Sequence, residues 1–160
     1  MKKLPFFVML LLLFAVSCDE DPVSNLQGTL KHTSDCLLKN GQSPNIPTTM
    51  SCVSYTYNGS LSITHSNAVF NCCPGTLSAS FNLEGDTIFI SESESSGLCD
   101  CMCLYDLDFE ITNLPAGIYV LHFIEPYISN ENEILECTID LLNSSSGNNC
   151  VERINYPYTN

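Results

Sequence analysis

The fold of this chain is decided by one stretch of alternating side chains, Cys99-Asp100-Cys101-Met102-Cys103-Leu104-Tyr105-Asp106-Leu107-Asp108-Phe109-Glu110-Ile111. Its odd-numbered positions hold cysteine or large apolar residues, and most of its even-numbered positions hold Asp or Glu. Successive side chains of a β-strand point to opposite faces of the sheet. The stretch therefore predicts one long strand that buries the sulfurs of Cys99, Cys101 and Cys103 and exposes an acidic face.

The segments outside this stretch also show the two-residue period of strands. The clearest is the hairpin from Cys52 to His65, in which Asn58-Gly59 predicts a two-residue type I′ turn because both residues tolerate positive φ. Residues 77–83 and 134–142 alternate between apolar and polar side chains. About eight short strands separated by turn residues, with no convincing helix after the first 27 residues, predict an antiparallel β-sandwich.

A second strong signal lies between two predicted strands, in the stretch Leu114-Pro115-Ala116-Gly117-Ile118-Tyr119. It resembles a tyrosine corner, in which the tyrosine hydroxyl bonds to backbone a few residues upstream. Leu114, Gly117 and Tyr119 are therefore predicted to have structural roles. The same stretch resembles the end of many immunoglobulin-like and transthyretin-like domains. The expected fold class is all-β, a disulfide-stapled immunoglobulin-like antiparallel β-sandwich formed by residues 28–160.

The first 27 residues have the composition of a leader followed by a tether. The apolar run 4–16 follows two lysines and is shorter than the roughly 20 residues that span a bilayer, so it predicts a secretory signal peptide. Ala15-Val16-Ser17-Cys18 resembles the lipobox of bacterial lipoproteins. This resemblance implies that residues 1–17 are removed and that Cys18 is lipidated with palmitate. Residues 18–27 then form the lipidated cysteine and its tether, which hold the domain at a membrane.

An acidic run, Asp19-Glu20-Asp21, directly follows Cys18. It resembles the surface-export signal of Bacteroidota lipoproteins and implies a lipid-anchored protein on the outer face of the outer membrane. A lipoprotein that faces the periplasm is the alternative. The stretches 72–75 (Cys-Cys-Pro-Gly) and 99–103 (Cys-Asp-Cys-Met-Cys) resemble those of small surface lipoproteins of the same phylum, and that resemblance implies no particular activity.

The chain is strongly acidic, with 18 Asp and Glu residues against five Lys and Arg residues and a formal charge of −13. Binding of nucleic acid through its phosphates needs a basic patch, so this class of partner is excluded. The expected partners are the membrane, through the N-terminal lipid, and a protein or glycan ligand. No cofactor is predicted, and the oligomeric state is left open.

Ten cysteines indicate an oxidising compartment, which agrees with a secretory leader. Nine remain once Cys18 is lipidated, and Cys137 is the expected free thiol because it takes an apolar position in an alternating segment. The eight disulfide candidates are Cys36, Cys52, Cys72, Cys73, Cys99, Cys101, Cys103 and Cys150. Eight cysteines allow 105 pairings, among which the sequence does not choose.

Geometry narrows the pairing of the clustered cysteines. Adjacent Cα atoms lie about 3.8 Å apart, whereas disulfide-bonded residues prefer about 4.4–6.8 Å, so Cys72 is not expected to pair with Cys73. These two are instead the expected partners of two cysteines in the Cys99–Cys103 stretch. Cys36 and Cys52 bracket a loop that a disulfide between them would clamp.

The same cysteines allow a second interpretation. Closely spaced thiols bind zinc or Cu(I), so the cluster formed by Cys72, Cys73, Cys99, Cys101 and Cys103 would serve a thiolate metal-binding or redox protein of the cell envelope. Sulfurs spaced along a straight strand fit a tetrahedral ion poorly, which favours disulfides. The two interpretations are separated by the number of free thiols.

No motif of a known catalytic site is found in the chain. His32, His65 and His122 lie outside zinc and nucleophile motifs, and the carboxylates of Asp106, Asp108 and Glu110 are expected to be solvated. The sequence therefore favours a lipid-anchored interaction module over an enzyme. Function concentrates on loops that a rigid scaffold positions, so the expected binding surface consists of residues 37–50, 92–98 and 125–133.

Overall fold

The computed structural model describes residues 25–40 and 46–154, which form a two-layer β-sandwich. Among these residues no helix has the length and apolar character needed to cross a membrane. The strands are β1 (Gln27–Thr33), β2 (Met50–Tyr57), β3 (Leu61–Asn71), β4 (Leu77–Glu84), β5 (Thr87–Glu94), β6 (Met102–Thr112), β7 (Ile118–Ile124), β8 (Glu136–Asp140) and β9 (Ser146–Glu152). The helical segments within residues 25–40 and 46–154 are one α-turn, α1 (Leu37–Asn40), and one 3₁₀ turn (Glu131–Glu133).

The strands form two sheets that pack face to face. One sheet has five strands in the order β1-β6-β3-β2-β9, and the other has four in the order β4-β5-β7-β8. Among the described residues the strand pairings are antiparallel except that β5 and β7 are parallel, with Thr87 opposite Val120. The all-β, disulfide-stapled sandwich predicted from the sequence is confirmed, and the parallel pair makes the four-stranded sheet a mixed one.

Strand β6 contributes a full row of side chains to the core, as its alternation predicts. Its odd-numbered side chains from Cys103 to Ile111 are at most 5% exposed, and they pack against the facing sheet. The predicted start of the strand is wrong, because β6 begins at Met102 and leaves Cys99 and Cys101 in the preceding loop. The cause is local, since Cys101 and Cys99 are bonded to Cys72 and Cys73 in the connection that follows β3.

The hairpin between β2 and β3 forms where the sequence predicts it, with a different turn. Tyr57 pairs with Leu61, so the loop has three residues, Asn58 to Ser60. Only Gly59 has positive φ (97°) in this loop. The predicted two-residue type I′ turn, which needs positive φ at both central positions, is therefore wrong.

The two ends of the sandwich differ in their connections. At one end, here called the hairpin end, short turns lie at residues 58–60, 85–86, 113–117 and 141–145. At the opposite end, here called the loop end, the described parts of the longer connections lie at residues 34–40, 46–49, 72–76, 95–101 and 125–135. Strand β1 starts at the hairpin end, where Gln27 pairs with Thr112 and the Asn113 side chain donates to the carbonyl oxygen of Asn25 at 3.2 Å. The chain therefore enters the sandwich at the hairpin end.

The tyrosine corner predicted at residues 114–119 is present at the hairpin end. The Tyr119 hydroxyl donates to the carbonyl oxygen of Pro115 at 3.1 Å, and Leu114 is buried. A second hydroxyl, from Tyr57, donates to the carbonyl oxygen of Leu114 at 2.9 Å. The crossing from β6 to β7, which joins the two sheets, is thus held by side chains from both sheets.

Candidate functional site

Five polar side chains are buried between the sheets at the loop end, and we call them the buried polar cluster. Four are titratable or charged, and each comes from a different part of the sandwich. They are Ser51 of β2, His65 of β3, Glu92 of β5, Glu125 directly after β7 and Arg153 directly after β9. Arg153 is 1% exposed, Glu92 4% and Glu125 6%, so the cluster is sealed from solvent. Buried charges are rare in proteins unless they are paired, which makes this group the most unusual one in the core.

Each member of the cluster continues a row of core-facing side chains. His65 follows Leu61 and Ile63 at the two-residue spacing of β3, and Glu92 follows Ile88 and Ile90 in the same way. Glu125 follows Phe123 at that spacing just beyond β7. Strand periodicity thus forces these polar groups inward, and the rows place them at one level of the sandwich.

A β-bulge in β3 holds the strand at this level. The register between β3 and β6 shifts between His65 and Ala68, and both of these side chains are buried. Asn67, inside the bulge, has φ of 63°, a left-handed conformation that Asn tolerates better than most residues. Its side-chain amide donates to the carbonyl oxygens of Pro47 at 3.0 Å and Met50 at 2.8 Å. The bulge therefore fastens the segment before β2 next to His65.

Hydrogen bonds connect the five side chains into one network. His65 Nδ1 lies 2.7 Å from Glu92 Oε1, and His65 Nε2 lies 2.7 Å from Ser51 Oγ and 3.8 Å from Glu125 Oε1. Arg153 Nη2 donates to Glu125 Oε2 at 2.5 Å, and Arg153 Nη1 donates to the carbonyl oxygen of Glu133. The network therefore crosses from the five-stranded sheet to the four-stranded sheet and reaches the 125–135 connection.

The electrostatics of the network favour a retained proton. Burial is the largest influence on the pKa of His65 and lowers it, but the carboxylates of Glu92 and Glu125 outweigh burial and raise the pKa above its ordinary value. Burial, with the like charge of Glu125, also raises the pKa of Glu92 against the opposing effect of His65. Both directions mean that the His65–Glu92 pair keeps a proton more firmly than the separate groups would in water.

Two side chains of the cluster keep unused acceptors. Glu92 Oε2 and Glu125 Oε1 are buried without a hydrogen-bond donor among the described residues. A buried carboxylate oxygen without a donor is costly, and the cost is smallest when the cluster carries no net charge. The two unpaired carboxylate oxygens therefore also favour a cluster that keeps a proton and has no net charge.

The cluster does not have the geometry of a metal centre, although His65, Glu92 and Glu125 offer atoms within 4.8 Å of one another. The 2.7 Å contact between His65 Nδ1 and Glu92 Oε1 is a hydrogen bond, whereas ligands of one tetrahedral zinc lie about 3.3 Å apart. The guanidinium of Arg153 already supplies positive charge to Glu125. The arrangement fits a network of ion pairs.

The order of hydrogen bonds from Ser51 through His65 to Glu92 is that of a serine–histidine–acid triad. Ser51 and His65, however, have no exposed surface. A substrate carbonyl cannot reach the hydroxyl of Ser51 in this conformation. We therefore assign no nucleophile to the cluster.

The eight disulfide candidates are bonded in four pairs, Cys36–Cys103, Cys52–Cys150, Cys72–Cys101 and Cys73–Cys99. The last two join the connection after β3 to the segment before β6, as expected for that cluster. A clamp between Cys36 and Cys52 is wrong, because Cys36 is held by β6 and Cys52 lies opposite Cys150 of β9. Cys137 is the free cysteine of the described residues, and burial, with Glu136, raises the pKa of its thiol to about 11.

The disulfides also decide the alternative interpretation of the cysteines. Cys72, Cys73, Cys99, Cys101 and Cys103 are each bonded to another cysteine. No thiolate is therefore free among these five residues, which favours the disulfide interpretation over a thiolate metal site.

The remaining predicted positions have structural partners. Asp106 accepts from the backbone N–H of Asn67 at 3.1 Å, and Asp108 accepts from the hydroxyl of Thr64 at 2.7 Å. Glu110 pairs with Lys31, and His122 pairs with Glu136 at 2.6 Å on the outer face of the four-stranded sheet. The acidic row is thus only partly solvated, since all three of its carboxylates contact groups on neighbouring strands. Cys18 and Asp19-Glu20-Asp21 lie outside the described residues.

The predicted binding loops meet at the loop end. Residues 41–45 lie outside the described part of the first loop, and β5 extends to Glu94, so the second loop covers residues 95–101. The hydroxyl of Tyr127, in the third loop, donates to Glu94. Leu37 of α1 and Tyr127 both pack against the outward-facing pair Val69 and Leu104.

Comparison with known protein families, with curated proteins and with solved structures finds no match to this chain.

Proposed function

We propose that this protein is a lipid-anchored interaction module of the bacterial cell surface that presents its loop end to a protein or glycan ligand. The observation that carries this proposal is the position of the N-terminal strand. The chain enters the sandwich at the hairpin end, beside Thr112, and the long connections lie at the opposite end. A lipid on Cys18 would therefore hold the hairpin end near the membrane and direct the loop end outward.

The length of the sandwich supports this orientation. Strands β3 and β6 have 11 residues each, and a strand rises about 3.3 Å per residue, so the two ends are separated by about 35 Å. The expected tether, residues 18–27, would add distance on the membrane side. The loop end would thus stand clear of lipid head groups and be accessible to a partner.

The loop end is also built as a rigid surface. Three of the four disulfides, at Cys36, Cys72 and Cys73, lie in or beside its connections. The Asn71 side chain accepts from the backbone N–H groups of Cys73 at 2.8 Å and Cys99 at 3.1 Å. Rigid loops bind with a smaller entropic cost than flexible loops, which favours a recognition surface.

A groove of about 420 Å³ opens at this end between residues 33–36 and the connection after β3. Ser34, Asp35, Pro74 and Tyr105 are among its lining residues. Next to it, the backbone N–H of Leu98 donates to the carbonyl oxygen of Cys73 at 3.4 Å, and the Leu98 side chain is 80% exposed. Polar groups in a groove beside an exposed apolar residue suit a protein or glycan ligand.

The test separates anchoring from orientation. Radiolabelled palmitate should enter the wild-type protein and fail to enter Cys18→Ala. An epitope inserted after Gly97 should be bound by antibody on intact cells, whereas the same epitope after Gly59, at the membrane side, should be bound more weakly. Full-length protein in detergent is then applied to a glycan array and to the surface proteins of the producing cells.

The outcomes are distinct. Equal labelling of wild type and Cys18→Ala would remove the lipid anchor, and an epitope that antibody reaches only after the outer membrane is opened would establish the periplasm-facing alternative. A ligand whose binding is unchanged when Leu98 and Asp35 are replaced by Ser would place the binding surface elsewhere.

A further inference from the structure

The net charge of the buried polar cluster depends on one exchangeable proton. Arg153 carries one positive charge, and Glu92 and Glu125 carry two negative charges when both are ionised. A neutral His65 therefore leaves a net charge of −1 inside the sandwich, and a protonated His65 leaves none. An uncompensated buried charge is expensive, whereas a balanced and hydrogen-bonded group is tolerated.

Protein groups from several strands surround the imidazole of His65. The facing groups are Ser51 from β2, Glu92 from β5, Glu125 beyond β7 and Arg153 beyond β9, and the ring of Phe123 lies 4.9 Å from the imidazole. Solvent does not screen these charges because the side chains of the His65–Glu92 pair have no exposed surface. The proton affinity of His65 is therefore set by the surrounding protein groups.

The cluster also connects the segments of the loop end. Asn67, two residues from His65, binds the connection before β2, and Arg153 binds the carbonyl oxygen of Glu133 in the connection after β7. The backbone N–H of Arg153 also donates to the carbonyl oxygen of Thr49 at 2.8 Å. A change of charge in the cluster thus acts on the 46–49 and 125–135 connections together.

We propose that the buried polar cluster is a proton-binding site that couples pH to the conformation of the loop end. In the closed form the imidazolium of His65 donates from Nδ1 to Glu92 and from Nε2 to Ser51. When the pH rises, the Nε2 proton leaves to water, and the Ser51 hydroxyl then donates to Nε2. The hydrogen bonds survive, but the cluster gains a charge of −1 and loosens its hold on the surrounding connections.

The direction of the pH dependence follows from proton linkage. The folded protein binds this proton more tightly than the unfolded chain, in which histidine titrates near 6.5. The cluster's contribution to stability is therefore fully present below about pH 6.5 and is lost as the pH rises through the folded-state value. The proposal goes beyond the proposed function and does not need it, since the coupling stands on the cluster alone.

The experiment measures the proton and the loops separately on the full-length protein. NMR of the histidine rings, assigned with His32→Gln and His122→Gln variants, should show His65 titrating above about 6.5. Hydrogen exchange, corrected for intrinsic rates, should rise at least threefold from pH 6 to pH 9 for residues 46–51 and 125–135. Exchange at residues 113–119 should change much less.

The decisive variant is Glu92→Gln, which keeps the shape of the side chain and removes one negative charge. It should lower the titration midpoint of His65 by at least one pH unit and abolish the pH-dependent exchange of the loop end. The matched control is Glu136→Gln, which alters the partly exposed pair with His122 and should leave both results unchanged.

Three results would overturn the proposal, and none depends on a ligand. The first is a His65 titration at or below about 6.5 in the wild type, which needs no folded variant. The second is exchange that rises equally at both ends of the sandwich. The third is a stoichiometric metal ion in the purified protein, because a metal would occupy the place of the proton. Failure of surface display or of ligand binding would leave these measurements unaffected.

Discussion

The two ends of this sandwich are held together by different physical means. At the hairpin end, short turns are closed by backbone pairing and by the hydroxyls of Tyr57 and Tyr119. At the loop end, the connections are long, and they are fastened by disulfides at Cys36, Cys72 and Cys73 and by the buried polar cluster. A short turn has few conformations to lose, whereas a long connection needs cross-links to become ordered. The comparison teaches that the loop end is held by cross-links and buried ion pairs, and the hairpin end by short turns and hydrogen bonds.

The largest expected effect is that of Arg153→Leu. Removing the guanidinium leaves the buried carboxylate of Glu125 without its cation, and breaking a buried pair in this way costs about 3–5 kcal/mol. Urea unfolding of wild type and variant measures the difference in the free energy of unfolding. A loss below about 1 kcal/mol would show that Arg153 is not the counter-ion that stabilises the loop end.

The double substitution of Cys73 and Cys99 by Ser should have the next largest effect. Their disulfide closes a loop with a sequence separation of 26, and removing such a bond costs about 2–4 kcal/mol. Hydrogen exchange should increase at residues 72–76 and 95–101 and remain low at 113–119. Cys137→Ser is the control, because its thiol takes part in no disulfide. Equal exchange at both ends would contradict the contrast between them.

Tyr119→Phe tests the hairpin end and should have a smaller effect. The variant loses the 3.1 Å hydrogen bond to Pro115, a contribution of about 1 kcal/mol. Thermal unfolding checks the loss, and Tyr55→Phe serves as the control because no hydrogen bond of its hydroxyl is found among the described residues. If the two variants had the same melting temperature, the corner would add nothing to the turn.

The smallest expected effect is that of Lys31→Met. Lys31 pairs with Glu110 at 3.0 Å on the surface, where side chains are 55% and 36% exposed. Such pairs contribute about 0–1 kcal/mol and weaken with salt. Urea unfolding at low and high ionic strength should show a difference only at low salt. A loss as large as that of Arg153→Leu would mean that burial does not distinguish the two ion pairs.

Much of the candidate site escaped prediction for an identifiable reason. His65, Glu92 and Glu125 each extend an alternating apolar row by one more step, and that spacing was a usable signal for inward-facing polar groups. A single polar residue at the end of a strand, however, is usually solvated. Only the packing of the two sheets brings the three rows to one level. That packing buries the three side chains and places them in contact with one another.

The sequence by itself determined the all-β class, the core face of β6, the tyrosine corner and the free thiol of Cys137. These follow from strand periodicity and local turn chemistry, which act over a few residues. The tertiary structure alone decided the four disulfide pairings, the parallel neighbours β5 and β7, and the meeting of His65 with Glu92 and Arg153. Such contacts join residues far apart in the chain, and their partners are chosen by how the sheets pack as a whole.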